Sequence, residues 1–451
     1  MLVDRGNPYT AGAPEVLHLD WDDFRFELST INRAALGRRA KWTVLAYLAA
    51  DCDLARWMFA DLLEMKSVGS NDDVHVLALF DGPLLADSFI ARLNAGTPLG
   101  QDLVMRFNEL RTSDAKLLAQ VLGLAQAFPA EHRLVILGGH GSGWKGVLQD
   151  QGLGRRYLQQ PGRLVLPGPG EACDAELRRC QVAAQDELNG AIERNSAAAP
   201  GSIDVIAFDA CYMGNLESVG AGFSDHARWL VLAEDQWPGE GFDYRTLVHT
   251  LRTEPDITPE MLARRLVADS AHAYRADAQR GTPVTLAAID AARLAPLAGA
   301  FVGFAQSLDP NNAVLLQVLN DALADTWRSK KTGLADLKGL AQQLLARPVP
   351  SSCADAARTL VQRFDEAVVA CCGGRTPSST NGLSIYAPPP DDFDPDYIPF
   401  ANGLPHGLGI WAWALGGYYL QVLGHNPGNP LIASLEATMR AAMQSGDWPP
   451  R

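Results

Sequence analysis

Arg133-Leu-Val-Ile-Leu-Gly-Gly-His140-Gly-Ser-Gly-Trp144 is a short apolar run that stops abruptly at an imidazole. A second stretch, Ile203-Asp-Val-Ile-Ala-Phe-Asp209-Ala-Cys211-Tyr-Met-Gly214, repeats the pattern and stops at a thiol. Apolar runs of this length, bounded by glycine, read as strands buried on both faces, the kind found in parallel sheets. Three more runs have the same form. Trp42–Leu48 ends at Asp51-Cys-Asp53, Val74–Phe80 at Asp81-Gly-Pro83, and Trp229–Ala233 at Glu234-Asp235. Helical spacing fills the gaps: Leu54, Met58, Leu62 and Met65, then Leu117 to Phe128, then Gln185 to Glu193. Strands alternating with helices predict an α/β fold, a mostly parallel sheet with helices on both faces.

The ends of the chain read differently. Residues 1–40 form a mixed, polar extension, and the core is expected over 41–295. Within it, 145–180 is rich in Gly, Pro, Gln and Arg and lacks periodicity, which marks a long insertion loop. Residues 296–451 read as a helical region that contributes one strand near 382–387, and Thr285–Ile289 as another strand. Leu408–Leu420 is apolar but too short to span a bilayer, and reads as a core helix.

Composition narrows the function. The chain has 451 residues, 47% hydrophobic and 20% charged, and a net charge of −14. That balance disfavours nucleic-acid and anionic-membrane binding. Seven scattered cysteines, with no CxxC pair, give neither a disulfide framework nor a zinc site. With no signal-like N-terminus, a cytoplasmic, reducing location is expected.

In open parallel sheets, ligands gather beyond the carboxyl ends of the strands. If the His140 and Cys211 strands are neighbours, a thiol nucleophile and its proton acceptor share one crevice. A turn into a helix near Met213–Glu217 is expected to lower the Cys211 pKa. The glycines around His140 let backbone approach a substrate, so the Gly141 and Cys211 amides are candidate oxyanion donors. Asp209, two residues before Cys211, is either a helix cap or the floor of a pocket that selects a basic side chain. Glu234, Asp235 and Asp51, with Asp53, are further pocket candidates or plain loop residues. Gly141, Gly143 and Gly146 match a dinucleotide-binding GxGxxG, but that reading requires a helix directly after Gly146.

At these segments the chain resembles the clostripain family of cysteine peptidases, in the caspase-like clan. The resemblance rests on Trp42–Asp51, His140-Gly-Ser-Gly-Trp144, Phe208-Asp-Ala-Cys211-Tyr-Met-Gly214 and Leu232–Tyr244, with weaker matches at Ala288-Ile-Asp290 and Gly382–Tyr386. It implies a caspase-like sheet, a His140–Cys211 dyad, and cleavage of proteins or peptides after Arg or Lys, with Asp209 in the S1 pocket. It also implies maturation by self-cleavage between the two motifs, where Lys145, Arg155, Arg156 and Arg163 are candidates and Gly154-Arg155-Arg156 is favoured. Cys52 departs from the pattern, which more often has Asn there. No cofactor is required; calcium is used by some members, but no EF-hand-like loop is present. No third catalytic residue is evident. The competing expectation is a catalytically silent caspase-like scaffold that binds a partner protein.

Overall fold

The computed structural model describes residues 39–84, 86–125, 127–148, 150, 203–220, 226–276, 284–309, 311–373, 380–423, 432–433 and 436–437. The expected helix at 185–193 and the candidate cleavage sites Arg155, Arg156 and Arg163 lie outside these residues.

Eleven strands are described: β1 (Ala40–Ala49), β2 (Val74–Asp81), β3 (Ser88–Arg92), β4 (Leu103–Phe107), β5 (Ala130–Gly138), β6 (Ile203–Asp209), β7 (Ala227–Ala233), β8 (Leu286–Asp290), β9 (Leu334–Asp336), β10 (Val368–Cys371) and β11 (Ser384–Tyr386). Nine of them form one sheet in the order β10-β8-β7-β6-β5-β1-β2-β3-β4. The five central strands are parallel. β3, β4, β8 and β10 run antiparallel to their neighbours at the margins. β9 and β11 form a separate two-stranded sheet. The expected strand near 382–387 therefore exists, but it pairs outside the main sheet.

The helices follow from the apolar spacing. α1 is Ala55–Val68, α2 Ala115–Ala125, α3 Leu216–Gly220, α4 Tyr244–Thr253 and α5 Pro259–Ala276. Then come α6 (Leu294–Ser307), α7 (Ala313–Asp325), α8 (Leu337–Leu345), α9 (Ser351–Ala367) and α10 (Ile410–Leu423). Successive side chains of a strand face opposite sides. Val135, Leu137, Ile206 and Phe208 thus meet α2, α6 and the C-terminal helices. Leu134, Ile136, Val205 and Ala207 meet α1, α4 and α5. Both faces are covered, as a parallel sheet requires. Trp411, Trp413 and Tyr419 of α10 are buried in the first of these layers. Among the described residues, no helix is long and apolar enough to cross a membrane.

Two details of the sheet position the chemistry. Gly138 of β5 pairs with Asp209 of β6, so His140 and Cys211 each lie two residues beyond one rung. The chain order also reverses between β1 and β5, which puts the residues after β1 and the His140 loop at the topological switch point, where such sheets bind ligands.

Candidate active site

The His140 loop crosses directly over the Cys211 peptide. A Cβ added to Gly141 would lie 2.1 Å from the Cys211 carbonyl oxygen, so only glycine allows this approach. The loop is a hairpin-like turn. Gly141 bridges to Val147, and Gly143–Lys145 forms a single 3-10 turn. Val147 and Leu148, directly after Gly146, are not helical, which counts against the dinucleotide-binding reading. Trp144 anchors the turn, packing edge-on against Tyr386 at 5.4 Å and Tyr397 at 5.2 Å from ring centre to ring centre.

Cys211 follows β6 in a strained turn. Tyr212, which follows it, has φ of 62°, in the left-handed region that a non-glycine residue rarely adopts. Three contacts hold it there. The Tyr212 amide donates to the Asp235 carbonyl (3.0 Å), the Gly214 amide to the Ala233 carbonyl (2.7 Å), and the Asn215 side chain to the Tyr212 carbonyl (2.7 Å). From the C-terminal region, the Ser384 amide and hydroxyl both donate to the Gly214 carbonyl.

The thiol itself is half-buried between backbone groups of Trp237. The Trp237 amide donates to Sγ (3.3 Å), and the Trp237 carbonyl lies 3.6 Å from it. Burial raises the Cys211 pKa, against the lowering effects of the Trp237 amide and Lys331. This corrects the expectation of a thiol acidified by a helix start. α3 begins only at Leu216 and is five residues long, too far and too short to supply that field.

His140 is partly exposed, and its Nε2 lies 2.6 Å from Asp53 Oδ1. Asp53 follows β1 and is 77% exposed. A surface pair of this kind contributes at most about 1 kcal/mol to stability, so its effect is on the orientation and tautomer of the imidazole. Sequence reading found only the ends of the strands, and the Asp53 partnership depends on the β1–β5 pairing. Cys52, beside it, is buried, and its thiol is pushed up to about 12 chiefly by that burial.

Asp209 points to the face of the sheet lined by α1, α4 and α5, deeper than Cys211. Its Oδ1 accepts from the Trp237 indole (2.8 Å) and its Oδ2 from the Tyr244 hydroxyl (2.6 Å). Burial nonetheless raises its pKa to about 6. Gly241 closes over it; a Cβ there would stand 2.4 Å from Oδ2. A second carboxylate was not anticipated. Asp61 of α1 is 3% exposed and makes no hydrogen bond or ion pair among the described residues. Burial first, and then the charge of Asp209, raise its pKa to about 10. One helical turn earlier on the same face, Trp57 packs on Gly239. Asp61 escaped sequence reading because it sits inside an amphipathic helix, where a carboxylate reads as solvent-facing.

The remaining candidates separate. Asp235 lies beside Cys211, with its carboxylate toward the Ser329 hydroxyl and its pKa raised by burial. The structure does not bring Glu234 to that pocket. Glu234 is fully buried, accepts from the Gly382 amide (2.9 Å) and faces Asp336, and burial holds its pKa well up. Asp51 is also fully buried, and its charge is felt by Asp81 at the end of β2, on the other side of β1. Lys145 is engaged by Asp394 at 2.7 Å. A groove of about 1080 Å³ opens beside the site, lined by His140, Gly141, Tyr212, Arg328, Lys331 and Tyr386 among others.

The sequence profile of the clostripain family of peptidases matches residues 46–159 and 174–369. No curated protein matches the chain. Among solved structures, it is similar to a secreted C11 cysteine protease from Bacteroides thetaiotaomicron in complex with an irreversible peptide inhibitor. That likeness has 19% identity and a TM-score of 0.58, and covers 82% of this chain and 99% of the other. It is also similar to an inactive zymogen C11 protease from Parabacteroides distasonis, with 16% identity, a TM-score of 0.56, and coverage of 84% and 100%. These likenesses establish the fold: the caspase-like sheet with helices on both faces.

Proposed function

The chain belongs to the clostripain family of cysteine peptidases, and we propose that it is an endopeptidase that cleaves after Arg or Lys, with Cys211 as nucleophile and His140 as its proton partner. With Asp53 accepting at Nε2, Nδ1 is the basic nitrogen of His140. It takes the Cys211 proton, and the thiolate attacks the carbonyl carbon after the basic residue. The Gly141 and Cys211 amides hold the oxyanion. His140 then protonates the leaving amine as the C–N bond breaks, and water hydrolyses the thioester.

The observation that carries the specificity is the pair Asp209 and Asp61. Two carboxyl groups are buried behind Cys211, and Asp61, which makes no hydrogen bond or ion pair among the described residues, keeps its proton until a counter-charge arrives. Burying a carboxylate without a partner costs several kcal/mol. A guanidinium or ammonium entering from the substrate would supply the missing counter-charge. Asp235 would line the mouth of this pocket.

Maturation by self-cleavage between the His140 and Cys211 strands extends the proposal, with Arg155-Arg156 favoured. Lys145 is disfavoured, because its turn is folded and its amino group is paired. The five free thiols among the described residues favour a reducing, cytoplasmic setting.

Purified wild type and Cys211→Ala would be compared by intact mass and by hydrolysis of reporters ending in Arg, Lys, Asp or Ala. Turnover of the Arg and Lys reporters by wild type alone, with a cut inside 145–180, is the expected result. Preference for Asp or Ala would overturn the specificity. Turnover of no reporter by a chain cut in that segment with trypsin would overturn the activity and favour the scaffold reading.

A further inference from the structure

Cys52, Asp53 and His140 bring one sulfur, one oxygen and one nitrogen donor together, with all three ligating atoms within 4.8 Å of one another. Cys52 follows β1 and is buried, Asp53 is exposed, and His140 is intermediate. The group therefore reaches solvent on one side and is anchored in the core on the other. This donor set is the one preferred by zinc, which takes Cys S⁻, His N and carboxylate O at about 2.3, 2.0–2.1 and 2.0–2.2 Å. A tetrahedron of those bond lengths needs its ligating atoms about 3.3–3.6 Å apart. The His140–Asp53 contact, now 2.6 Å, would open by less than about 1 Å to reach that spacing, and the other atoms would close by little more.

We propose that Cys52, Asp53 and His140 form an inhibitory site for a thiophilic divalent cation such as Zn²⁺. Binding exchanges the Cys52 thiol proton for a Zn–S bond and releases that proton to solvent. The metal binds His140 Nε2 in place of its contact with Asp53, and the ring proton moves to Nδ1, so the imidazole no longer accepts the proton of Cys211. Three protein ligands leave a fourth position open to water. The inhibitory part rests on the peptidase reading above, and the binding part does not. The sulfur ligand is specific to a chain with cysteine at position 52, since an asparagine there would offer no thiolate.

Co²⁺ is the probe, because a tetrahedral Co²⁺–thiolate centre absorbs both in the near ultraviolet and in the visible. The titration is made first in Cys211→Ala, which removes the neighbouring thiol and needs no activity. One equivalent of Co²⁺ with a thiolate band, displaced by Zn²⁺, is expected. The band should vanish in Cys211→Ala/Cys52→Ser, and affinity should fall at least ten-fold in Cys211→Ala/Asp53→Asn, whose exposed side chain carries no folding risk. In the active enzyme, Zn²⁺ inhibition should be reversed by chelator and weakened at least ten-fold by Cys52→Ser. A thiolate band that survives Cys52→Ser would overturn the site, as would its absence from Cys211→Ala. If Co²⁺ binds as expected but wild type hydrolyses nothing, the site stands and the peptidase reading fails.

Discussion

Asp61→Asn separates the pocket proposal from a merely structural carboxylate. The folded protein keeps the Asp61 proton up to about pH 10, whereas an unfolded chain releases it near pH 4. The native state therefore binds one more proton between those limits, and stability falls as pH rises across them. One proton corresponds to a slope of about 1.4 kcal/mol per pH unit. Asparagine is nearly isosteric and has no proton to hold, so it removes that slope. The variant should match wild type near pH 4 and exceed it by about 4 kcal/mol at pH 7. Urea denaturation at pH 4.5, 5.5, 6.5 and 7.5 reads this directly. The same change removes half of the proposed counter-charge. Loss of a charged hydrogen bond of about 1.5–3 kcal/mol lowers kcat/KM for Arg reporters by about 10- to 100-fold, with Ala reporters unaffected. The wild-type Arg rate should also decline below about pH 6 as Asp209 takes up its proton. A variant that keeps the wild-type pH slope and the wild-type ratio of Arg to Ala turnover would refute the reasoning.

Three further outcomes follow from the geometry. Gly141→Ala places a methyl group against the Cys211 carbonyl; it should cut kcat by about 100-fold or more while circular dichroism stays native. Asp53→Ala should lower kcat about 10- to 100-fold through loss of imidazole orientation. It should leave Tm within a degree or two because the pair is exposed, and an unchanged pH–rate profile would argue against the positioning role. Trp144→Ala empties a site packed by Tyr386 and Tyr397. It should destabilise the protein by about 3–5 kcal/mol, measured by denaturant titration.

The central strands were legible because each is buried on both faces and therefore nearly continuous in apolar residues. Trp42–Leu48, Leu134–Leu137 and Val205–Phe208 announce themselves in this way. The marginal strands were not. Ser88–Arg92 ends in Arg92 and Leu103–Phe107 carries Arg106, so neither is continuously apolar, and Val368–Cys371 follows α9 with no turn residue between. Cys211 and His140 were visible as strand ends, since chemistry there needs only local order. Asp53 and Asp61 depend on which strands are neighbours and which helix face is covered, and neither is written in local spacing. The acidity of Cys211 was misjudged for a related reason. A turn follows the strand before any helix starts: the left-handed Tyr212 and the Asn215 cap delay it to Leu216.

The pairing of Gly138 with Asp209 also decides what a severed molecule would be. A cut between His140 and β6 falls in the connection between these adjacent central strands, and assigns the imidazole to one fragment and the sulfur to the other. Neither fragment would hold both members of the proposed dyad. Parting them would mean tearing the sheet through its middle rung and stripping both hydrophobic layers at once. Such a nicked molecule would behave as one particle in native sieving and as two bands in detergent. Its recovery from denaturant would be second order in protein, in contrast to the concentration-independent refolding of the unbroken chain.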